Sequence, residues 1–93
     1  MQIIQSRSFE RKVKKFTKHE KKKLDEEIRK ILKNPSIGSQ KKGDLRGVFI
    51  HKFKIQTNQY LLGYRFFGEK LELIMIGTHE NYYRDLKSYL RTR

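Results

Sequence analysis

With 93 residues and 23 Lys and Arg against 10 Asp and Glu, a formal charge of +13, the chain is short enough for one domain with a modest core. It has no cysteine, which excludes disulfide staples, thiol chemistry and thiolate metal sites. The start MQIIQSRSF lacks the apolar core of a signal peptide, and no apolar run approaches membrane-spanning length. The expectation is a soluble cytosolic protein, a single domain over residues 1–93 with no membrane association. Its charge exceeds what solubility requires and points to a polyanionic partner: nucleic acid, ribosome or an acidic protein.

In chain order, 2-QIIQS-6 has the makings of a short first strand. Phe9, Val13 and Phe16 then recur at helical spacing, with Ser8 as the expected N-cap. The run 17-TKHE-20 has the form of a capping box and opens a second helix to about Lys33, whose buried stripe would be Leu24, Ile28, Ile31 and Leu32. Asn34-Pro35 stops it, because a residue before proline avoids helical angles. Between Arg11 and Lys23 stand eight Lys and Arg residues against Glu20 alone. Such a face is either simply solvated or an electrostatic footprint for RNA or an acidic partner. His19 lies in it without a recognisable constellation.

Residues 36–47 are polar and glycine-bearing, and read as a loop with little structure of its own. Three strands follow, 48-VFIHKFKI-55, 60-YLLGYRFF-67 and 71-LELIMIG-77, with Thr57-Asn58-Gln59 and Gly68-Glu69-Lys70 as hairpin links. After Gly77 the period turns helical again, with Tyr83, Leu86 and Leu90 on one stripe and Tyr82 and Tyr89 beside it. The predicted fold is α+β, in the order β-α-α-β-β-β-α. Two N-terminal helices pack on one face of a small, mostly antiparallel sheet, and the other face stays partly open.

Strand alternation assigns side chains to those faces. Phe53 and Ile55 belong to the core, together with Phe49 and His51, so Lys52 and Lys54 project from the open face. They are either a solvated pair or a clamp for consecutive phosphates. Leu61, Gly63, Arg65 and Phe67 would share that face as a polar floor, Arg65 offering a planar fork for phosphate and Phe67 an aromatic surface. Gly63 marks either a close contact or room for a ligand. His79, after the third strand, is either a helix-start residue bonding its own backbone or a proton-transfer group. Tyr83, one turn on, could stack on a base, donate a hydrogen bond or pack; Tyr82 is the rival for that role.

No phosphate loop, dinucleotide fingerprint or metal-ligand spacing is present, and no cofactor is expected. The acids cluster at 25-DEE-27, away from the histidines, and do not suggest a two-metal cage. A nuclease built from these residues would be metal-independent and act on RNA, whose 2'-hydroxyl can itself attack the adjacent phosphorus. Lys52, Lys54 and Arg65 suit phosphate charge, and His79 suits general acid or base. Lys12, Lys15, Lys22, Lys41, Lys42, Arg46, Tyr82 and Arg84 form the expected RNA-binding surface.

The element order, read with 43-GDLRGVFIHKFKIQTNQYLLGY-64 and 74-IMIGTHENYYRDLKSYL-90, resembles the RelE/ParE superfamily of bacterial toxins over nearly the whole chain. The closing motif, a strand followed by Gly-Thr/Ser-His-x-x-x-aromatic, is most similar to the YafQ-type branch. That likeness implies that His79 and Tyr83 belong to an RNA-cleaving site, with His51 matching a further histidine of that branch. The Lys-Phe-Lys of residues 52–54 resembles the lysines of RelE. Leu61 stands where RelE has a catalytic arginine early in the second long strand, leaving Arg65 to compensate. RelE's other arginine falls at His79, and the acidic residue and further histidine of the YafQ pattern have no evident counterpart. The resemblance implies a toxin that cuts mRNA in the ribosomal A site and is neutralised by a cognate acidic antitoxin docked on the first helices. The ParE branch implies DNA gyrase as target instead. A non-catalytic RNA- or ribosome-binding protein is the third reading.

Overall fold

The computed structural model describes residues 1–92. Strand β1 (Gln2–Gln5) leads into α1 (Arg7–Lys14), and α2 (Lys18–Lys33) follows after a brief turn. The N-cap of α1 is Ser6, not Ser8. Its hydroxyl accepts from the Phe9 N–H at 3.0 Å and donates to the Ile74 carbonyl, so the helix starts earlier because the cap is also anchored to the sheet. The capping box of α2 forms as expected, with Thr17 Oγ1 accepting from the Glu20 N–H and the Glu20 carboxylate accepting from the Thr17 N–H at 2.7 Å. A cap of this kind contributes about 1 kcal/mol.

The segment expected to be an unstructured loop is organised. One 3-10 turn spans Pro35–Ile37 and another Gly43–Leu45. Between them β2 (Ser39–Gln40) pairs with β3 (Phe49–Ile55), Ser39 opposite Ile50. Tyr64 fastens this stretch: its hydroxyl donates to the Pro35 carbonyl at 2.6 Å and accepts from the Gly38 N–H at 3.0 Å. The missed strand is too short to carry a readable alternation.

Strands β3, β4 (Asn58–Phe67) and β5 (Lys70–Thr78) form the antiparallel meander. Both turns are tighter than expected. Ile55 faces Asn58 across Gln56 and Thr57, with Gln56 at φ 57°, and Phe67 faces Lys70 across Gly68 and Glu69, with Gly68 at φ 55°. Asn58, Gln59 and Lys70 therefore belong to strands. β1 pairs in parallel with β5, giving a five-stranded mixed sheet in the order β1-β5-β4-β3-β2.

Two cores sandwich this sheet. Phe9, Leu24 and Ile31 of the first two helices pack on Phe53, Tyr60, Leu62, Tyr64, Leu71 and Leu73. On the other face α3 (Tyr82–Thr92) lays Tyr82 and Leu86 over Ile50, Leu61 and Ile74, with Leu45 and Val48 filling one side. The face expected to be open is thus largely covered. The buried stripe of α3 centres on Tyr82 and Leu86, whereas Tyr83, Tyr89 and Leu90 are half-buried beside it. Burying a side chain such as Leu86 contributes about 1.5–3 kcal/mol. Among the described residues no helix is long and apolar enough to cross a membrane.

Candidate active site

Where β3 and β5 end, the α3 side of the sheet carries exposed polar side chains. On β3, Phe53 and Ile55 point into the first core and Ile50 into the second, so alternation carries Lys52 and Lys54 to the α3 side, where both are exposed. The register then fixes their neighbours. Lys52 lies opposite Leu61, which lies opposite Gly77; Lys54 lies opposite Gln59, one residue before the Tyr60–Thr78 pair. His79 follows Thr78 at the level of Gln59. Lys54, Gln59 and position 79 thus make a row across β3, β4 and the end of β5, spanning about 10 Å at normal strand spacing.

His79 is exposed in the bend between β5 and α3. Its carbonyl accepts from the Tyr82 N–H at 3.2 Å, and Asn81, at φ 60°, accepts the helical bond from the Asp85 N–H at 3.0 Å. The imidazole lies edge-on to Tyr83, ring centroids 6.0 Å apart. Tyr83 packs against the second core, so the imidazole stands on the same side of the sheet as the two lysines. The Tyr83 ring also carries the Lys41 ammonium at 5.4 Å from its centroid. Gln59, assigned from sequence to a turn, is the residue missed in this row. A two-residue rather than three-residue link was the only signal that would have shown it.

Several expected members are elsewhere. Tyr82 is 3% exposed, its hydroxyl donating to the Met75 carbonyl at 2.7 Å, so it is a core residue and not part of an RNA-binding surface. Burial pushes its phenol far above the ordinary value. Its ring fills the space left by two glycines: a Cβ on Gly63 would come 2.7 Å from the Tyr82 hydroxyl, and one on Gly77 3.4 Å from its ring. Gly63 therefore serves close packing and offers no room to a ligand. Leu61 is fully buried beneath α3, which makes the expected polar floor apolar.

Arg65 does not join the lysines. It has the right side parity but stands four residues beyond Leu61, about 13 Å along the strand, and its guanidinium donates to Glu72 at 3.0 and 3.3 Å. Phe67 is 54% exposed, at the far end of the sheet from His79. His51 faces the first core, 8% exposed, with Nε2 2.8 Å from Glu27 Oε1. It is separated from His79 by the sheet and is a structural partner of Glu27, not a member of this site.

Glu27 itself is a buried acid that periodicity did not reveal. It also accepts from Lys30 at 3.0 Å and meets Lys23 at 3.2 Å. Burial raises its pKa, but the His51, Lys30 and Lys23 contacts outweigh that and hold it at about 2.

The remaining cations form a wide exposed surface: Lys12 and Lys15 on α1, Lys22 on α2, Lys42 and Arg46 before β3, and Arg84 on α3. Lys12 and Lys15 border a groove with Ser8, Arg11, Met75, Ile76 and Asp85. Among the described residues no group of three or more His, Asp or Glu side chains is arranged to hold a metal ion.

The fold is similar to that of several solved toxins. A double arginine-to-alanine mutant of E. coli RelE in the free state superposes with a TM-score of 0.72 at 17% identity, covering 99% of this chain and 97% of the other. A YoeB/ParE toxin from Agrobacterium tumefaciens gives 0.68 at 22% identity, covering 85% and 99%. A chain of the intact E. coli RelBE toxin-antitoxin complex gives 0.67 at 18% identity, covering 85% and 96%. No curated protein sequence matches the chain. The sequence family described as the ParE-like toxin of type II bacterial toxin-antitoxin systems matches residues 3–87, and the chain accordingly belongs to that family.

Proposed function

We propose that this toxin is a metal-independent endoribonuclease that cleaves mRNA in the ribosomal A site, with a YafQ-like histidine centre. The observation that carries this reading is the shared side of Lys52, Lys54 and His79 at one end of the sheet, the imidazole exposed beside Tyr83. In the reaction the ribose 2'-oxygen attacks the adjacent phosphorus, forming a cyclic phosphate, and the 5'-oxygen leaves with a proton. Lys52 and Lys54 neutralise charge growing on the phosphoryl oxygens. His79 transfers a proton at one end of this displacement. Tyr83 offers a stacking surface for a base, and Gln59 can donate its amide to the same phosphate.

Lys12, Lys15, Lys22, Lys42, Arg46 and Arg84 attract the RNA and ribosome over a broad surface, with little sequence preference. The cognate antitoxin is an acidic chain whose apolar side lies in the groove between α1 and α2, lined by Phe9, Val13, Leu24 and Ile28 with Lys21 at its border. A second reading, inhibition of DNA gyrase, is favoured by Leu61 occupying the position of RelE's arginine and by the ParE-like family match.

Primer extension on mRNA translated in vitro separates these readings. Wild-type protein is expected to make discrete cuts, and His79→Ala to cut about 100-fold more slowly or worse. Equal cutting by both removes His79 from the mechanism. Absence of cuts with gyrase-linked DNA breaks establishes the second reading instead.

A further inference from the structure

We propose that Lys41 is a positioning residue that holds Tyr83 against the candidate cleavage centre, rather than a direct RNA contact. This inference rests on the ribonuclease reading and assigns a role to a residue outside the Lys52–His79 row. Its ammonium sits over the Tyr83 ring at 5.4 Å from the centroid, inside the range in which a cation is attracted to the negative face of an aromatic ring. The backbone beneath it is well held. The Lys41 N–H donates to the Val48 carbonyl at 2.9 Å, extending the β2–β3 ladder by one residue, and the Tyr64 hydroxyl anchors the chain just before β2.

Tyr83 has neighbours on other sides too. The His79 ring meets it at 79° and the Tyr82 ring at 89°, both edge-type arrangements, with centroids 6.0 and 5.6 Å away. Tyr82, in the first turn of α3, is buried, so Tyr83 is bounded by a buried aromatic, the second core, the exposed imidazole and the Lys41 ammonium. Removing the cation frees Tyr83 to leave His79, and the imidazole then loses its only ring neighbour among the described contacts. Lys41, half-buried, differs in this from the exposed Lys42 beside it.

The test compares Lys41→Met, Lys41→Arg, Tyr83→Leu and the Lys41→Met/Tyr83→Leu double variant. In wild type the Lys41 ε-methylene protons should show an upfield ring-current shift by NMR that disappears in Tyr83→Leu; this readout does not depend on activity. In single-turnover cleavage on stalled ribosome complexes, Lys41→Met should slow the saturating rate about 5-fold and leave the half-saturating toxin concentration unchanged. Lys41→Arg should restore most of the rate, and Lys41→Met should add nothing in the Tyr83→Leu background. An unshifted methylene overturns the proposal. So does a Lys41→Met effect that persists without Tyr83, or one confined to the half-saturating concentration, since either marks a direct RNA contact. A wild-type protein that shows the ring-current shift but makes no cuts overturns the ribonuclease reading, and the catalytic role of Lys41 with it, while the contact itself stands.

Discussion

Glu27 sits at 2% exposure on a face that helical spacing would reserve for an aliphatic residue, and it stays ionised because His51, Lys30 and Lys23 surround it. Its folded pKa of about 2 lies below the ordinary 4.5. The ionised carboxylate therefore stabilises the fold fully above about pH 4.5 and loses that contribution as pH falls toward 2. Replacing Glu27 by Gln should lower the thermal midpoint at pH 7, and the gap from wild type should narrow as pH drops through that window. A constant gap from pH 7 to pH 2 would show that the carboxylate charge is not what stabilises this contact. Complete removal in Glu27→Ala should cost about 3 kcal/mol, because His51 is left buried without its partner. At this scale the sequence was legible for exposed residues and poorly so for buried polar ones. Lys52 and Lys54 followed from simple alternation. The pairing of His51 with Glu27 joins residues 24 apart and has no local signature.

The contact between α3 and β4 turns on two residues that read ambiguously in isolation. Gly63 and Tyr82 compete for one volume: the glycine lacks a Cβ, and one built there would come within 2.7 Å of the tyrosine hydroxyl, closer than such atoms normally approach. Gly63→Ala should destabilise by about 1–3 kcal/mol through overpacking. Tyr82→Phe should cost about 1 kcal/mol through the lost bond to the Met75 carbonyl. The double variant should be less destabilised than the sum, because removing the hydroxyl makes room for the methyl. Strict additivity in urea melts would contradict the shared volume. The element boundaries show the same division. Capping of α2 and the stop at Asn34-Pro35 are local and were readable. The stripe of α3 was not centred correctly, because Tyr82, Tyr83, Leu86, Tyr89 and Leu90 span an arc wide enough for several rotations. The glycine hollow on the sheet selects among them.

Across the whole molecule the +13 charge sets long-range behaviour. RNA affinity should fall steeply with salt, the slope of log K against log salt measuring the phosphates neutralised. Neutralising Lys52 and Lys54 together should reduce that slope by about 2 if each contacts one phosphate, whereas Tyr82→Phe should leave it unchanged. An unaltered slope in the lysine variant, measured by fluorescence anisotropy, would remove both from the RNA interface.

Residue order by itself determined the α+β class, the two capped or proline-bounded helices, the meander and the faces of β3, because periods of 2.0 and 3.6 residues and turn chemistry act over a few positions. Only the tertiary structure decided that β2 would add an edge, that α3 would cover Leu61 and Gly63, that Arg65 would be held by Glu72, and that His79 would come round to the lysines' side. Those outcomes depend on strand register, including the irregularity between Gly63 and Tyr64, and on which volumes remain unfilled when distant elements meet.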